Sequence, residues 1–417
     1  MNKTGPDDAR LLALVRSAFG TIHPEVIGVA VSGGSDSVAL LHLAARFQAE
    51  RGGLVRAVTV DHRLRPEAAD EARFVAGLCE TLGVRHDTVE WPHGPLAGNI
   101  PDQARRARYD LVTGWAQCHG ITHVVVGHTA DDDAETFLME LARQAGIDGL
   151  ASMRRFWHSN GIYWARPLLS VSRESLRQYL RGQNVGWIED PTNEDETYLR
   201  VKARRALAAL VPLGITGEGL ARVAANLRVA QAELVSLAAR AAEEFVTERA
   251  GELVMDRLRW RGLGPDTGRR LVIAAVRWVG SAPYAPRGAE VARLEEAIHE
   301  SHDATLGGCH LRCSPEEIRF TREPRAVAGV ETSTDALWDK RWRLSGPHDK
   351  ELVVRALGGE GLRLCPDWRA TGHSRAALIV APAIWRGEDL VAAPVAGMTN
   401  GWTAEIVTPF HSFLFPH

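Results

Sequence analysis

Residues 26–31 (VIGVAV) run directly into Ser32-Gly33-Gly34-Ser35-Asp36-Ser37, and from 37 to 49 the apolar residues recur at helical spacing. A short apolar run, a glycine pair and a periodic segment read as strand, turn and helix. Glycines at such a junction let the backbone approach an anion, the helix N-terminus supplies unpaired N–H groups, and serine hydroxyls add donors. The hexapeptide therefore reads as a phosphate loop. It is not a Walker A loop, which needs Lys before Ser or Thr, and it lacks the dinucleotide fingerprint. Asp36 is out of place in an anion cradle unless a divalent cation bridges carboxylate and phosphate, so Mg2+ with Asp36 as its ligand is expected. A turn capped only by Ser and Gly is the plainer reading of the same residues.

Outward from the loop the pattern repeats. Strand-like runs at 54–60, 84–91 and 122–127 precede helix-like stretches at 67–82, 102–119 and 131–143. Alternating strands and helices imply a parallel sheet covered on both faces, with ligands at the carboxyl ends of its strands. After Arg205 the texture changes: Gly214, Gly217 and Gly219 precede a long amphipathic helix over 220–245, and 271–279 and 290–298 read as further helices. Beyond Glu331 short apolar runs such as 351–357 and 376–380 read as strands. The expected architecture is an α/β parallel-sheet catalytic domain over 1–212, a helical domain over 213–328 and a small mixed or β-rich domain over 329–417.

Composition limits the alternatives. Of the 417 residues, 45% are hydrophobic and 24% charged, the balance of a globular chain with a substantial core. Residues 1–20 hold Asp7 and Asp8 and no long apolar stretch, so a cytoplasmic protein without a membrane partner is expected. Cys79, Cys118, Cys309, Cys313 and Cys365 are scattered and form no Cys-x-x-Cys, which describes neither a disulfide framework nor a zinc site. A net charge of −3 means that a nucleic-acid partner would need a local basic patch.

The 32–37 hexapeptide resembles the signature of the PP-loop ATP pyrophosphatase family, whose members activate an oxygen by transferring AMP to it and releasing pyrophosphate. Asparagine, guanylate and NAD synthetases, tRNA thiolases and tRNA lysidine synthetases share versions of it. Three further stretches resemble the lysidine synthetases: 61–67 (DHRLRPE), 99–109 (NIPDQARRARY) with Arg105, Arg106 and Arg108 crowded together, and 127–136 (GHTADDDAET) followed by 146–150 (GIDGL). Asp132 and Glu135 stand three apart, so on a helix they share a face and could hold an ammonium group between two carboxylates. Acidic residues at a helix N-terminus are also favoured by the macrodipole alone. Arg166-Pro167-Leu168-Leu169, 187–193 (WIEDPTN) and Tyr198-Leu199-Arg200 extend the resemblance, and Arg200, Lys202, Arg204 and Arg205 form a basic cluster.

The resemblance implies ATP bound by Ser32, Gly33, Gly34, Ser35, Asp36 and Ser37 with His62 and His128, and L-lysine held by Asp132 and Glu135. It implies catalytic roles for Asp36, Asp132, Glu135 and Arg108, and tRNA held by Arg105, Arg200, Arg204 and Arg205. The implied substrate is an isoleucine tRNA with a CAU anticodon, its wobble cytidine adenylated and then joined to lysine. Two residues depart from the pattern. Asp133 stands where Gln is usual, adding negative charge beside the lysine and metal sites, and Val201 stands where Asn is common. A tRNA thiolase and a nonenzymatic ATP-binding sensor are the alternatives, and the long helix could serve a homodimer.

Overall fold

The computed structural model describes residues 6–64, 68–95, 98–189, 199–282 and 284–414, and the chain falls into two compact units, Met1–Gln231 and Ala232–Pro416. The first begins with α1 (Pro6–Ser17), β1 (Val26–Ala30), α2 (Ser35–Ala49), β2 (Leu54–Asp61), α3 (Ala68–Thr81), β3 (Arg85–Glu90), α4 (Ile100–Cys118), β4 (His123–Val126) and α5 (Ala130–Ala142). It continues through α6 (Ile147–Leu150), β5 (Phe156–Ser159), β6 (Ile162–Ala165), α7 (Arg173–Gly182), α8 (Leu199–Leu210) and the start of α9 (Gly217–Phe245). The strand and helix positions read from periodicity are thus all present in this unit.

The sheet runs β3-β2-β1-β4-β6-β5. Its first five strands pair in parallel and β5 closes the edge antiparallel to β6. Both faces are covered, which is why the strands are apolar runs and not alternating ones. In β4, Val125 enters the core with α1, α2 and α7, while Val124 and Val126 enter the opposite core with Trp115 and Ile121 of the α4 side. Gly28 permits the second packing, since a Cβ there would stand 3.0 Å from Val124 Cγ2 and 3.1 Å from Trp115 Cζ3. β1 lies between β2 and β4, so the chain leaves its carboxyl end in opposite directions and opens the crevice where α/β sheets bind ligands.

In the second unit the helices expected near 271–279 and 290–298 are present as Pro265–Gly280 and Gly288–Glu300. They pack with a five-stranded antiparallel sheet formed by Val246–Arg249, Glu252–Asp256, Ala304–Leu306, Cys309–Cys313 and Glu317–Arg322. That sheet was not read from the sequence, although exposed Glu317, buried Ile318, half-buried Arg319 and buried Phe320 show the alternation of a one-sided strand. Four-stranded and two-stranded sheets follow toward the C-terminus, making it β-rich. The run at 376–380, expected as a strand, is instead the helix Arg375–Ile379; Ser374 Oγ accepts the Ala377 N–H at 3.0 Å and caps it, a local signal that outweighs a short apolar run. Among the described residues no single helix is long and apolar enough to cross a membrane.

Candidate active site

The 32–37 loop joins the carboxyl end of β1 to α2. Gly33 sits at φ +86°, a conformation L side chains rarely adopt, and a Cβ there would meet Ile188 Cδ1 at 2.9 Å. Its carbonyl accepts the Ile188 N–H at 2.9 Å, which ties the loop to the segment after α7. Gly34 is the N-cap of α2 and offers no capping side chain, leaving the first-turn N–H groups suited to an anion. Ser37 Oγ donates to the Gly34 carbonyl at 3.0 Å and accepts the Ser32 N–H at 3.1 Å, bracing the turn from inside. From β4, Gly127 presses against it: a Cβ there would lie 2.8 Å from Ser37 Cα and 2.9 Å from the Asp36 carbonyl oxygen.

Beside the loop three carboxylates converge on one guanidinium. Arg173, the first residue of α7, donates from Nε to Asp36 Oδ2 at 2.9 Å and from Nη2 to Asp132 Oδ1 at 3.4 Å, and its Nη1 is 4.0 Å from Glu135 Oε1. Its own backbone N–H donates to Asp131 Oδ2 at 2.7 Å, so α5 fixes the start of α7. Asp132 is committed twice. Its Oδ2 accepts the Thr129 N–H and hydroxyl, both at 2.9 Å, while Thr129 Oγ1 caps α5 in return, forming a capping box. Burial pushes the Asp132 carboxyl up, but the Arg173 and Arg200 charges and the Thr129 N–H pull it back and hold it below its ordinary value. Glu135 goes the other way: burial, with Asp132 nearby, raises it despite the Arg204 Nε that donates to its Oε1 at 2.8 Å. Its Oε2 is buried with no hydrogen-bond partner among the described residues. Asp36 is likewise raised by burial, against the pull of Arg173.

His128, at the end of β4, is held by Arg166. The Arg166 Nε–H donates to His128 Nδ1 at 3.0 Å, which places the imidazole proton on Nε2. Burial and the Arg166 charge push His128 down to about 3, so the ring is neutral at physiological pH. His62, beyond β2, is similarly held down to about 4 by burial and by Arg108, whose Nη2 donates to its Nε2 at 3.4 Å. Arg105 lies over the Tyr109 ring at 5.8 Å on the same helix as Arg108.

The chain that builds this site has counterparts among known proteins. Residues 8–211 match the PP-loop domain family. A tRNA(Ile)-lysidine synthase from Ruegeria pomeroyi is 45% identical over 406 residues, covering 97% of each chain. The chain belongs to the tRNA(Ile)-lysidine synthase family. Proteins of the same name from Hyphomonas neptunium and Orientia tsutsugamushi are 36% and 30% identical, over 80% and 76% of this chain and 92% and 75% of theirs. Within this family neither the thiolase nor the sensor reading is retained.

For a tRNA(Ile)-lysidine synthase family member, two geometric results qualify the sequence reading. Asp133 adds no unpaired charge to the carboxylate cluster. It is fully buried, its Oδ2 is 3.0 Å from Arg228 Nη1 of α9, and its Oδ1 accepts the Met153 N–H at 3.0 Å. Arg228 Nη1 also reaches the Ala151 and Met153 carbonyls at 2.9 and 3.1 Å. Val201 packs into the interior of α8, where it is 7% exposed. Of the residues expected on tRNA, Arg204 turns inward to Glu135. Arg65, Pro66 and Glu67 of the 61–67 stretch, and 190–198 with Asp190, Pro191, Thr192, Asn193 and Tyr198, lie outside the described residues.

Arg173 and Arg166 were not singled out as site residues. Arg166 was visible only as part of the 166–169 stretch, and Arg173 had no signal beyond being one arginine among many.

Proposed function

We propose that the chain ligates L-lysine to C2 of the wobble cytidine of tRNA(Ile) bearing a CAU anticodon, consuming ATP and giving lysidine, AMP and pyrophosphate. The observation that carries the reading is Glu135. It is a buried carboxylate with one oxygen on Arg204 and the other without a partner, one helical turn from Asp132 and joined through Arg173 to Asp36 of the phosphate loop. That set suits an enzyme that must hold polyphosphate and an ammonium group side by side.

In the first step the cytosine C2 oxygen attacks the α-phosphorus and pyrophosphate leaves. The 32–37 loop would offer backbone donors for the phosphates, and Arg173, Arg108 and Arg200 would help neutralise charge gathering there. His128, with its proton on Nε2, is a neutral donor for ATP, and His62 is its counterpart beside Arg108. In the second step the lysine ε-nitrogen forms the bond to C2 and AMP departs with the oxygen. The attacking amine must first lose a proton. Glu135 is the better acceptor of the two helix carboxylates, because burial raises its proton affinity while Asp132 is held ionised. Asp132 orients the amine and α5.

Asp36 is the residue that would hold Mg2+, which would supply positive charge to neutralise the phosphates. Asp36 suits that role as a half-buried carboxylate in the first turn of α2, directly after the loop glycines. We assign the chemistry to 1–212 and tRNA recognition to 213–328 and 329–417 with Arg105, Arg200 and Arg205, and place the reaction in the cytoplasm. The test mixes protein, ATP, Mg2+, labelled lysine and a CAU tRNA(Ile) transcript beside one whose wobble base is uridine. Lysine incorporation confined to the cytidine transcript is expected; incorporation into neither overturns the substrate assignment.

A further inference from the structure

Between α4 and the β5–β6 hairpin lies a cavity of about 410 Å3, inside the roughly 300–1,000 Å3 range of small-molecule sites. One wall is aromatic. Trp157 and Trp164 face each other across the hairpin, 5.6 Å apart and 8° from parallel, with the Tyr109 ring edge-on to both. The other feature is charge. Arg105, Arg154 and Arg166 line the cavity, and none of them forms an ion pair with a carboxylate among the described residues.

Arg166 is the informative one. It is 4% exposed, and its hydrogen bonds go to three neutral acceptors: His128 Nδ1, the Arg154 carbonyl at 2.5 Å and Tyr109 Oη at 3.0 Å. The Asp133 carboxylate acts on it through space without touching it, and a buried cation that no anion contacts is costly unless one joins it. The wall-side face of its guanidinium lies 4.2 Å over Trp157. Asp110, an exposed carboxylate that can accept from an exocyclic amine, also lines the cavity.

Arginines without a contacting carboxylate, an aromatic wall and one carboxylate acceptor are complementary to the phosphate, ring and amine of a nucleotide. We propose that this cavity binds a nucleotide of the anticodon loop next to the modified cytidine, with its phosphate toward Arg154 and Arg166 and its base along the Trp157–Trp164 wall. The proposal rests on the tRNA reading above. Through Arg166 the bound phosphate would also touch the residue that sets the His128 tautomer, linking loop binding to the ATP site.

Two variants test it: Arg154→Ala, at an exposed residue, and Thr113→Phe, which fills the floor beside Tyr109. Affinities are measured for a CAU anticodon stem-loop RNA, for AMP and for a nonhydrolysable ATP analogue, and a stem-loop with 5-bromouridine beside the wobble cytidine is photocrosslinked. Both variants should bind the stem-loop roughly tenfold or more weakly, the scale of losing one stacked base or phosphate contact, with ATP-analogue affinity unchanged. The crosslink should fall on Trp157, Trp164 or Tyr109. Unchanged stem-loop affinity in both variants overturns the cavity assignment while wild-type lysine incorporation stands. Weakened AMP binding with unchanged RNA binding makes it a free-nucleotide site and equally overturns the RNA assignment. A wild type that neither binds the stem-loop nor incorporates lysine removes the functional reading, and this one with it.

Discussion

Arg173 Nε donates to Asp36 Oδ2 at 2.9 Å across 137 residues of sequence, and the same guanidinium reaches Asp132 and Glu135. Three carboxylates from two separate elements therefore share one arginine as their common counter-charge. This arrangement holds the acidic groups beside the phosphate loop by offsetting the repulsion that Asp132 exerts on Asp36 and Glu135.

Removing that counter-charge is the first prediction. Arg173→Ala should lower the rate of lysine incorporation by about 10²–10³, the scale of deleting one preorganised charge-stabilising donor. It should also leave Asp36, Asp132 and Glu135 repelling one another. Protonation relieves that repulsion, so the gap in melting temperature between variant and wild type should narrow as pH falls from 8 to 5. A gap that widens on acidification contradicts the bridging role.

Glu135→Gln separates the two chemical steps. If Glu135 takes the proton from the lysine amine, tRNA-dependent pyrophosphate release should persist while lysine transfer falls by about 10²–10⁴. The same variant carries a stability signature. Glu135 binds its proton more tightly folded than unfolded, so its contribution is fully favourable below the unfolded carboxyl value and is lost as pH rises through the raised folded value. Denaturant titrations across that window should show a shallower decline for Glu135→Gln than for wild type.

The Asp133–Arg228 pair should behave as structure, not chemistry. Asp133→Ala leaves a largely buried guanidinium without its carboxylate and is expected to cost about 3–5 kcal/mol. Adding Arg228→Met should recover part of that loss, giving a coupling energy of about 1–3 kcal/mol in a double-mutant cycle by urea denaturation. Lysine incorporation per folded molecule should stay near wild type in the double variant.

Gly127→Ala tests the packing under the loop. The added methyl meets Ser37 Cα at 2.8 Å, so the loop must move, and strain of about 1–3 kcal/mol corresponds to roughly 5- to 150-fold weaker ATP binding. Equilibrium binding of an ATP analogue measures it directly, and unchanged affinity would mean that the loop yields freely.

His128 offers a spectroscopic check. With Arg166 on Nδ1 and a value near 3, its ring should stay neutral, protonated on Nε2, throughout pH 5 to 8. The nitrogen resonances of an isotopically labelled sample report this. Because its folded value lies below the unfolded one, His128 also adds stability above the unfolded value that is lost as pH falls.

What could be read in the sequence is what local periodicity carries. The strand before the 32–37 loop, the helix after it and the repeating units through Ala142 each depend on residues within one or two turns of one another. Their hydrogen-bond partners are therefore near in sequence. Short apolar runs carry less information, which is why 376–380 proved helical and the sheet around Ile318 and Phe320 went unread. The glycines at 33 and 34 announced an anion site because their freedom of φ is a local property; the role of Gly127 is not local, since it depends on how close β4 comes to α2. The partners of Asp36, His128 and Asp133 were likewise invisible. Arg173, Arg166 and Arg228 are chemically indistinguishable in sequence from the many arginines that face solvent. Only the parallel sheet, by bringing strand ends and helix starts from distant parts of the chain to one edge, decides which guanidinium meets which buried acceptor.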